Sequence, residues 1–384
     1  MKDADNVLTR LFPELNNGVE YKKLGEVLDY EQPSKYIVSS KDYLDEGIPV
    51  LTAGQTFILG YTDEDTGIYR ASKEKPVIIF DDFTTSFHWV TFDFKVKSSA
   101  MKMLRPINND INFRFIYYAM KCIKYETADH ARQWISKYSL FEIPVPPIEV
   151  QSKIVEYLDN FTELEAELEA ELEARRKQYE YYRNQLLTFD LPDGKAGKDK
   201  GARFDVKWMK LGEITNVLRG RRLTKKELSP DADYPVYHGG IEPIGYYNQS
   251  NRPANTVMVI NVGASAGTVG YCNKPFWSSD GCYCIEKNDI VNDKYLYYLL
   301  SKNQISFVSK VRHAGIPTLD SRAISEYIIP IPSPSEQERI VSILDRFEAL
   351  TTDLQSGLPA EIEARRKQYE YYREKLLTFK RKTA

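Results

Sequence analysis

The chain of 384 residues is long enough for two or three domains that each bury a core of their own. Its 42% hydrophobic and 12% aromatic residues are typical of an ordered globular protein and exclude a largely disordered one. No apolar run approaches the roughly 18 residues that span a bilayer, and the first residues lack a basic-then-apolar leader. The composition therefore predicts a cytoplasmic protein that neither crosses a membrane nor is secreted.

Charge is distributed unevenly along the chain, whose formal net charge is −3. Residues 1–148 carry −3, 149–189 carry −5, 190–334 carry +4 and 335–384 carry +1. A modest surplus of cations in one internal block is weak evidence for a nucleic-acid partner. The four cysteines form no CxxC pair. Two of them, Cys282 and Cys284, share one face of a predicted strand, a pattern that favours buried thiols over a disulfide or a metal site.

Residues 1–148 predict a first globular block of mixed secondary structure. The runs KPVIIF (75–80) and VTFDFKVK (90–97) are typical of strands. The run INFRFIYYAMKCIKY (111–125) predicts a helix. This block is therefore expected to be an α+β domain.

Segment 149–189 follows this block and predicts one long helix. Its apolar residues recur every three or four positions, and TELEAELEAELEA (162–174) consists of strong helix formers without Gly or Pro. The four-residue period puts Leu164, Leu168 and Leu172 on nearly the same face. Such a helix is a rod of about 60 Å, and its apolar stripe needs an antiparallel partner.

Residues 190–334 predict a linker followed by a second α+β block. Strands are expected in NTVMVINVG (255–263) and GCYCIEK (281–287), and a helix in DKYLYYLLSKNQISF (293–307). The order of these elements repeats the order of the first block.

Segment 335–384 supplies the antiparallel partner. Ser335 with Glu338 predicts a capping box at its start. The tetrapeptide SGLP (356–359) predicts an interruption, because Gly and Pro are the poorest residues for a helix interior.

The two halves follow one plan. The segment EARRKQYEYYR occurs at 173–183 and at 363–373, and FEIPVPPIEVQSKIVEYLDNF (141–161) matches YIIPIPSPSEQERIVSILDRF (327–347). The segment VLTRLFPELNNGVEYKKLGEV (7–27) resembles the stretch that leads from the first helix into the second block. The chain is therefore expected to begin where the second helix ends, a circular arrangement that places the ends together and relates the halves by a pseudo-two-fold axis.

The order of these motifs along the chain resembles that of the specificity (S) subunits of type I restriction–modification systems. The resemblance rests on the proline pairs, the duplicated ARRKQYEYYR…LLTF motifs and the leucine-based tetrapeptides. The tetrapeptides point to the subclass with a variable number of such units in its central helix. The resemblance implies two globular α+β target-recognition domains separated by a pair of long antiparallel helices. The first domain is expected over 1–148 (with the N-terminal segment that completes the circular repeat), the central helix over 149–189, the linker and second domain over 190–334, and the C-terminal helix over 335–384.

The resemblance also implies a function. Each recognition domain would read one half of a split double-stranded DNA target, and the helices would set the spacing of the half-sites and dock two methyltransferase (M) subunits. The chain itself would hold no cofactor, because S-adenosylmethionine, ATP and Mg would be bound by the M subunits and the motor-nuclease (R) subunits. A structural coiled-coil adaptor and a stand-alone DNA methyltransferase or nuclease are the alternatives. The second of these lacks a [DN]PP[FYW] loop and a Walker sequence, and no ordered ExK partner follows the acidic pair at 81–82.

Candidate DNA contacts are polar, basic and aromatic side chains near turns, since such residues bind phosphates and base edges. In the second block, VLRGRRLTKK predicts a flexible basic loop, and other candidates lie beside glycine turns and in KVRHAGIPTLD. The candidates of this block are Arg219, Arg221, Arg222, Lys225, Lys226, His238, Ser265, Thr268, Arg312, His313 and Thr318.

In the first block, one group of candidates follows the strand KPVIIF, one is aligned with the segment RHAG of the second block, and one lies near residue 40. They are Lys35, Ser39, Ser40, Lys41, Thr84, Thr85, Ser86, His88, Trp89, Arg132, Gln133 and Trp134.

The duplicated helical motif supplies candidates for binding the partner subunits, because Tyr and Arg are favoured anchors at protein interfaces. An alternative is that its tyrosines pack the two helices together, and both roles can hold on different faces. The candidates are Arg175, Arg176, Tyr179, Tyr182, Arg365, Arg366, Tyr369 and Tyr372.

Overall fold

The computed structural model describes residues 12–54, 56–127, 131–189, 206–353 and 356–382. Part of the predicted circular repeat (7–11) and the linker at 190–205 lie outside these ranges. The described helices are α1 (Leu24–Val27), α2 (Phe113–Lys121), α3 (Ile148–Leu186), α4 (Leu211–Ile214), α5 (Asp293–Lys302), α6 (Ile305–Val308), α7 (Arg322–Ser325), α8 (Pro334–Thr352) and α9 (Leu358–Leu376). None of these helices is long and apolar enough to cross a membrane.

The chain divides into two compact units. Unit 1 comprises Met1–Leu168 and Ile362–Ala384, and unit 2 comprises Glu169–Glu361. Helix α3 therefore contributes its first half to unit 1 and its second half to unit 2, and most of α9 belongs to unit 1. Each unit contains both sheets and helices, which confirms the predicted α+β class.

Unit 1 is built on a four-stranded antiparallel sheet. Its described strands are β1 (Glu20–Lys23), β2 (Leu28–Glu31), β3 (Ile48–Leu51), β4 (Ile58–Thr62), β5 (Val77–Asp81), β6 (Phe87–Val90), β7 (Lys95–Val96), β8 (Met101–Pro106) and β9 (Glu142–Val145). The main sheet has the order β2-β8-β5-β6, beside a sheet β4-β3-β7 and a pair β1-β9. Four residues of β5, VIIF, are completely buried, so this strand forms the centre of the unit.

Unit 2 repeats this topology. Its described strands are β10 (Lys207–Lys210), β11 (Val217–Arg219), β12 (Tyr234–Tyr237), β13 (Gly245–Tyr247), β14 (Thr256–Ile260), β15 (Val269–Cys272), β16 (Trp277–Ser278), β17 (Cys282–Ile285) and β18 (Ile328–Ile331). The sheets are β11-β17-β14-β15, β13-β12-β16 and β10-β18. Each strand therefore has a counterpart in unit 1, and β14 takes the buried central place of β5.

Each unit fastens its domain helix to a long helix through the same polar contacts. In unit 1, Asn112 caps α2, and its own backbone N–H donates to Gln151 Oε1 of α3 at 2.8 Å. In unit 2, Asn292 caps α5 and donates in the same way to Gln337 Oε1 of α8 at 2.7 Å. Because both glutamines are buried, these bonds satisfy groups that would otherwise be costly to remove from water.

The start of α8 differs from the predicted capping box. Its N-cap is Ser333, whose side chain accepts from the backbone N–H of Glu336 at 3.4 Å. Pro334 is the first helical residue, where its missing N–H has no cost. The prediction of Ser335 with Glu338 was wrong by two residues, since the helix already includes Pro334 and the buried Glu336.

The predicted interruption of the second long helix is present. Helix α8 ends at Thr352 and α9 begins at Leu358, while residues 354–355 lie outside the described ranges. A Cβ at Gly357 would lie 2.5 Å from the carbonyl oxygen of Ala349, so only glycine fits there. Pro359 stands in the first turn of α9, where proline is tolerated, and thus begins a new helix instead of kinking an old one.

Unit 1 joins the two ends of its circular arrangement. Val19 forms a parallel bridge with Arg381: its N–H donates to the Lys380 carbonyl at 2.9 Å, and its carbonyl accepts from the Lys382 N–H at 2.9 Å. An added Cβ at Gly18 would lie 2.7 Å from the Lys382 nitrogen. The segment before β1 thus pairs side by side with the segment after α9, in agreement with the predicted circular arrangement.

The apolar stripe of α3 is buried unevenly. Ile154 and Leu158 are completely enclosed in the core of unit 1, whereas Leu164, in the first tetrapeptide unit, is 45% exposed. The tetrapeptide leucines are therefore less enclosed in this chain than a continuous stripe predicted.

Candidate nucleic-acid interface

Five loops of unit 2 meet at one end of its sheets, and we call them the loop cluster: residues 219–226, 238–241, 261–268, 278–281 and 310–320. The loops 219–226 and 278–281 are joined by the bond from Arg221 N–H to the Ser278 carbonyl at 2.9 Å. The third and fourth are joined by the bond from Asn261 N–H to the Gly281 carbonyl at 3.2 Å, and the Leu319 N–H donates to the Asn261 carbonyl at 2.9 Å. The cluster thus contains every candidate predicted for the second block.

Backbone contacts constrain the basic loop of this cluster, which the sequence predicts to be flexible. A Cβ at Gly220 would lie 2.0 Å from the Ser279 carbonyl oxygen, so glycine is required for the backbone to pass this close. Downstream, Thr224 caps a turn of 3₁₀ helix, its N–H donating to Glu227 Oε2 at 2.8 Å. All five cations of the loop, Arg219, Arg221, Arg222, Lys225 and Lys226, are exposed.

His238 is integrated into the cluster through its ring. Its Nδ1 accepts from the Gly281 N–H at 3.2 Å, which assigns the proton of the neutral ring to Nε2. Asp280 Oδ1 lies 3.4 Å from the same nitrogen. His238 is half-buried and can use Nε2 as a single donor towards a ligand.

The glycine turn at 261–268 and the segment at 310–320 hold the remaining candidates of the second block. Thr268 donates its N–H to the Ser265 carbonyl at 3.0 Å, and both side chains are half-buried. Arg312 and Thr318 form an antiparallel bridge, which leaves Arg312 and His313 exposed. Exposure and position therefore allow these residues to contact a ligand.

Charge makes the loop cluster a candidate surface for an anion. It contains seven Lys and Arg side chains against Asp280 and Asp320, a formal net charge of +5, whereas the whole chain carries −3. Such a concentration of cations on loops attracts the phosphate backbone of nucleic acid.

In unit 1, the turn after β5 places its candidates differently. Thr84 is exposed and bonded to Ser86 through their hydroxyls at 3.1 Å. Thr85 has a positive φ of 59° and is buried, which contradicts its prediction as a DNA contact. A backbone turn fixed by Asp81 explains the burial, since Asp81 Oδ1 accepts from the Thr84 N–H at 2.9 Å and turns Thr85 inwards.

The two aromatic candidates of β6 also have structural partners. The His88 ring stacks on Phe57 at 4.5 Å, and its Nε2 lies 3.1 Å from the Gly54 carbonyl oxygen. Burial lowers the pKa of His88, so the ring is neutral at pH 7 and adds no charge to this surface. Trp89 is half-buried between Phe113 of α2, at 4.8 Å, and the guanidinium of Arg114, and contributes to packing.

Gln133 and Trp134 correct the prediction most clearly, because both side chains lie in the interior. The Gln133 side chain accepts from Tyr125 Oη at 2.8 Å, and the Trp134 ring packs edge-on against Phe80 at 5.1 Å. Arg132 is half-exposed and remains a candidate. Polar and aromatic residue types matched the chemistry of a DNA contact, but sequence alone did not show that this segment is packed under the turn after β5.

The alignment with RHAG was wrong by several residues. The Gln133 N–H donates to the carbonyl of Asp82, the residue after β5, at 2.7 Å. In unit 2 the equivalent bond runs from Leu319 to Asn261, the residue after β14. Gln133 therefore corresponds to Leu319, and RHAG has its counterpart in the segment that precedes Arg132.

Asp82 is completely buried and has a structural role that the sequence does not indicate. Its Oδ1 accepts from the Trp134 N–H at 2.8 Å, and its Oδ2 lies 3.2 Å from Lys102 Nζ and 3.4 Å from an Arg132 nitrogen. Lys102 is also buried, with Nζ 4.5 Å from the centre of the Tyr30 ring. This buried ion pair fixes the segment that presents Arg132, a role for which the isolated acidic pair in the sequence gave no signal.

The third group of unit 1, Lys35, Ser39, Ser40 and Lys41, is exposed. The Ser39 N–H donates to Glu64 Oε1 at 2.8 Å, and Glu64 also pairs with the buried Lys95 at 2.6 Å. The loop is thereby held in place while its side chains stay accessible.

In both units the tyrosines of the duplicated motif pack against a phenylalanine. Tyr372 stacks on Phe161 at 5.6 Å in unit 1, and Tyr182 stacks on Phe347 at 5.4 Å in unit 2. Tyr369 and Tyr179 lie beside the same rings at 6.5 and 6.4 Å, and burial raises the pKa of Tyr179 to about 12. Helix packing, one of the two alternatives, is thus observed for all four.

The arginines of the motif are exposed (Arg176, Arg366) or half-buried (Arg175, Arg365). Arg175 pairs with Glu171 at 2.9 Å, and Arg366 pairs with Glu165 at 2.5 Å within unit 1. Arg365 donates to Gln368 Oε1 at 3.2 Å. Two tyrosines that the prediction omitted, Tyr181 and Tyr371, are 59% and 56% exposed. Which tyrosines are exposed therefore depends on the face of the helix they occupy, which the prediction did not consider.

The cysteines are free thiols, and three of them, Cys272, Cys282 and Cys284, are buried. Within the described ranges, no group of three or more His, Cys, Asp or Glu side chains is arranged to hold a metal ion.

The comparisons with known proteins agree with this repeated architecture. The family model of the type I restriction modification DNA specificity domain matches the chain twice, over residues 16–174 and 205–364. The chain belongs to this family. The specificity subunit of the Escherichia coli type I restriction enzyme EcoR124I/EcoR124II is 40% identical, over 94% of both chains.

Solved structures show the same fold. The S subunit of a type I restriction–modification system from M. genitalium has a TM-score of 0.62 at 20% identity, over 95% of this chain and 98% of that one. A chain from a study of complex assembly and conformational transition in the type I system has a TM-score of 0.57 at 15% identity, over 94% and 97%.

Proposed function

We propose that this chain is the DNA-specificity subunit of a type I restriction–modification complex, in which each unit reads one half of a bipartite target. The observation that carries the proposal is the duplication: two units share a strand order and a mode of attachment to long helices, yet present loops of different sequence. Two modest half-site contacts on one chain add to a selective interaction, as in two-fold DNA-binding dimers.

The loops at the ends of the strands carry the DNA contacts in this proposal. In unit 2 the loop cluster supplies exposed cations for phosphates, and His238, Arg312 and His313 for base edges. In unit 1 the corresponding side chains are Arg132, Thr84 and the group at 35–41. The buried candidates Thr85, Gln133 and Trp134 support these loops from within.

Two M subunits are the proposed partners of the duplicated helical motif. The packed tyrosines leave Tyr181 and Tyr371 as equivalent exposed rings, which meet Tyr182 and Tyr372 edge-on at 5.5 and 5.4 Å. Equivalent surfaces on one chain suit two copies of one partner, and exposed Tyr and Arg are effective anchors. R subunits would join through the M subunits, and the complex would act on cellular DNA in the cytoplasm.

The chemistry is assigned to the partners. The chain would hold no cofactor: S-adenosylmethionine would be bound by the M subunits, and ATP and Mg by the R subunits. Saturable binding of S-adenosylmethionine to the isolated chain would contradict this assignment and favour a methyltransferase.

The proposal is tested by sequencing the methylated bases of a host with and without the gene. We expect a split adenine-methylation motif that disappears when the gene is deleted. Exchanging residues 206–334 for the equivalent block of a relative should change one half of the motif and leave the other intact. A motif that survives deletion of the gene would contradict the proposal, and a chain without any DNA selectivity would favour the coiled-coil adaptor.

A further inference from the structure

Residues 312–318 form a hairpin with an apolar side chain at its tip. Arg312 N–H donates to the Thr318 carbonyl at 2.9 Å, and Thr318 N–H donates back to the Arg312 carbonyl at 3.1 Å. Ile316 lies within the loop that these bonds close and is 70% exposed. A large aliphatic side chain that is exposed to water at a loop tip does not stabilise the free protein, because only its burial would be favourable.

Backbone contacts attach the hairpin to the glycine turn at 261–268. Its strand residue Thr318 bridges Val262, and the Gly263 N–H donates to the Pro317 carbonyl at 2.9 Å. The Thr318 hydroxyl donates to the Ile316 carbonyl at 2.8 Å, so the backbone beneath the isoleucine is fixed. Because the tip is ordered in advance, little conformational entropy would be lost when it enters another molecule.

The surroundings indicate what that molecule is. Arg312 at the base of the hairpin is 72% exposed, and the loop cluster carries a net +5. An added Cβ at Gly315, whose φ is +88°, would meet nothing within 4 Å, so the tip stands clear of its own domain. An apolar tip on a loop cluster of net positive charge fits a polyanion with an apolar interior, which is the description of stacked base pairs between phosphate backbones.

We propose that Ile316 is a wedge that enters between adjacent base pairs of the half-site bound by unit 2 and partly unstacks them. Arg312 and the basic loop at 219–226 hold the flanking phosphates. Isoleucine is one of the side chains that proteins use as such a wedge. The inference rests on the proposed function and deepens it, because unstacking costs least at pyrimidine–purine steps and thus adds selectivity without a hydrogen bond to a base.

The test uses the complex of this chain with its M subunit and a duplex that carries the bipartite target. 2-Aminopurine, whose fluorescence rises when it is unstacked, replaces the adenines of the unit 2 half-site one at a time, except the methylated adenine, which the M subunit would itself extrude from the stack. Wild-type complex should raise the fluorescence at one step severalfold. Ile316→Ala should abolish the rise and weaken binding about tenfold, equivalent to 1.4 kcal/mol, whereas Ile316→Leu should retain most of both.

Ile290→Ala is the matched control, since this isoleucine is 49% exposed in the same unit and lies outside the loop cluster. It should leave fluorescence and affinity unchanged. Selective binding by wild type without any fluorescence rise, or a rise that persists in Ile316→Ala, would overturn the wedge and leave the proposed function standing. Absence of selective binding by the wild-type complex would overturn both.

Discussion

The buried ion pair of unit 1 offers a direct test of how the recognition segment is supported. Asp82→Asn preserves the size of the side chain and an oxygen for the Trp134 N–H but removes the charge beside Lys102. Two unit charges 3.2 Å apart attract each other by about 5 kcal/mol at an effective dielectric constant of about 20. Because the substitution leaves the Lys102 ammonium buried without its counter-charge, we expect a loss of about 3–5 kcal/mol in the free energy of unfolding of unit 1.

Hydrogen exchange followed by mass spectrometry measures this loss separately for each unit. Peptides covering β5 and β8 should exchange roughly a hundredfold to several thousandfold faster in Asp82→Asn, as 1.4 kcal/mol corresponds to a factor of ten. Peptides covering β14 of unit 2 should be unchanged. Glu156→Gln is the matched control, since it breaks an exposed pair with Lys153 and should leave the exchange of both units unchanged.

A second substitution tests the cause. Lys102→Met added to Asp82→Asn removes the unpaired ammonium while keeping most of its volume, and should recover at least half of the lost stability. If Asp82→Asn alone changes the exchange of β5 by less than a factor of five, or if the double variant is no more stable than the single one, the ion pair does not support this segment as argued.

Three further outcomes follow from the proposed function. Deleting one tetrapeptide unit (residues 168–171) shortens α3 by about 6 Å, so the methylome should show a spacer one or two base pairs shorter with both half-sites unchanged. An unchanged spacer would show that the length of α3 does not set the spacing. Replacing the three arginines of 219–222 by alanine should weaken DNA binding of the complex and reduce the slope of log K against log salt by about two to three, and equal slopes remove this loop from the interface. Tyr181→Ala with Tyr371→Ala should lower the affinity for the M subunit at least tenfold without loss of helix content by circular dichroism, and undiminished affinity shows that these rings are not anchors.

Much of the fold could be predicted because it repeats. The offset between the halves identified the matching helices, and SGLP marked the interruption between α8 and α9. The start of α8 was misplaced since two serines flank Pro334 and both have an acidic residue three positions on. Residue type alone does not distinguish them; the buried Glu336 next to the Ser333 cap does.

The candidate site was harder to predict, because burial depends on contacts that are distant in sequence. Gln133 and Trp134 are of residue types that bind DNA, but the backbone N–H groups of both donate to Asp82, about fifty positions earlier, and both side chains are buried. In the duplicated motif, Tyr179 and Tyr369 are half-buried beside Phe347 and Phe161. Tyr182 and Tyr372 stack on the same two rings but are 39% exposed, and Tyr181 and Tyr371 are the most exposed, at 59% and 56%. The predicted residues of unit 2 lie in or beside loops, whereas the orientation of individual side chains required the structure.

The contribution of α9 to unit 1 has a consequence for synthesis on the ribosome. Leu376 and Leu377 complete the core that contains Leu158, but they are made roughly 220 residues later. At about 5–20 residues per second this is a delay of roughly 10 to 45 s. Unit 2 is complete once Glu361 has been synthesised, whereas unit 1 still lacks Ile362–Ala384 at that point. The amino-terminal recognition domain is therefore the last to fold completely, and its unfinished core needs protection from aggregation until then.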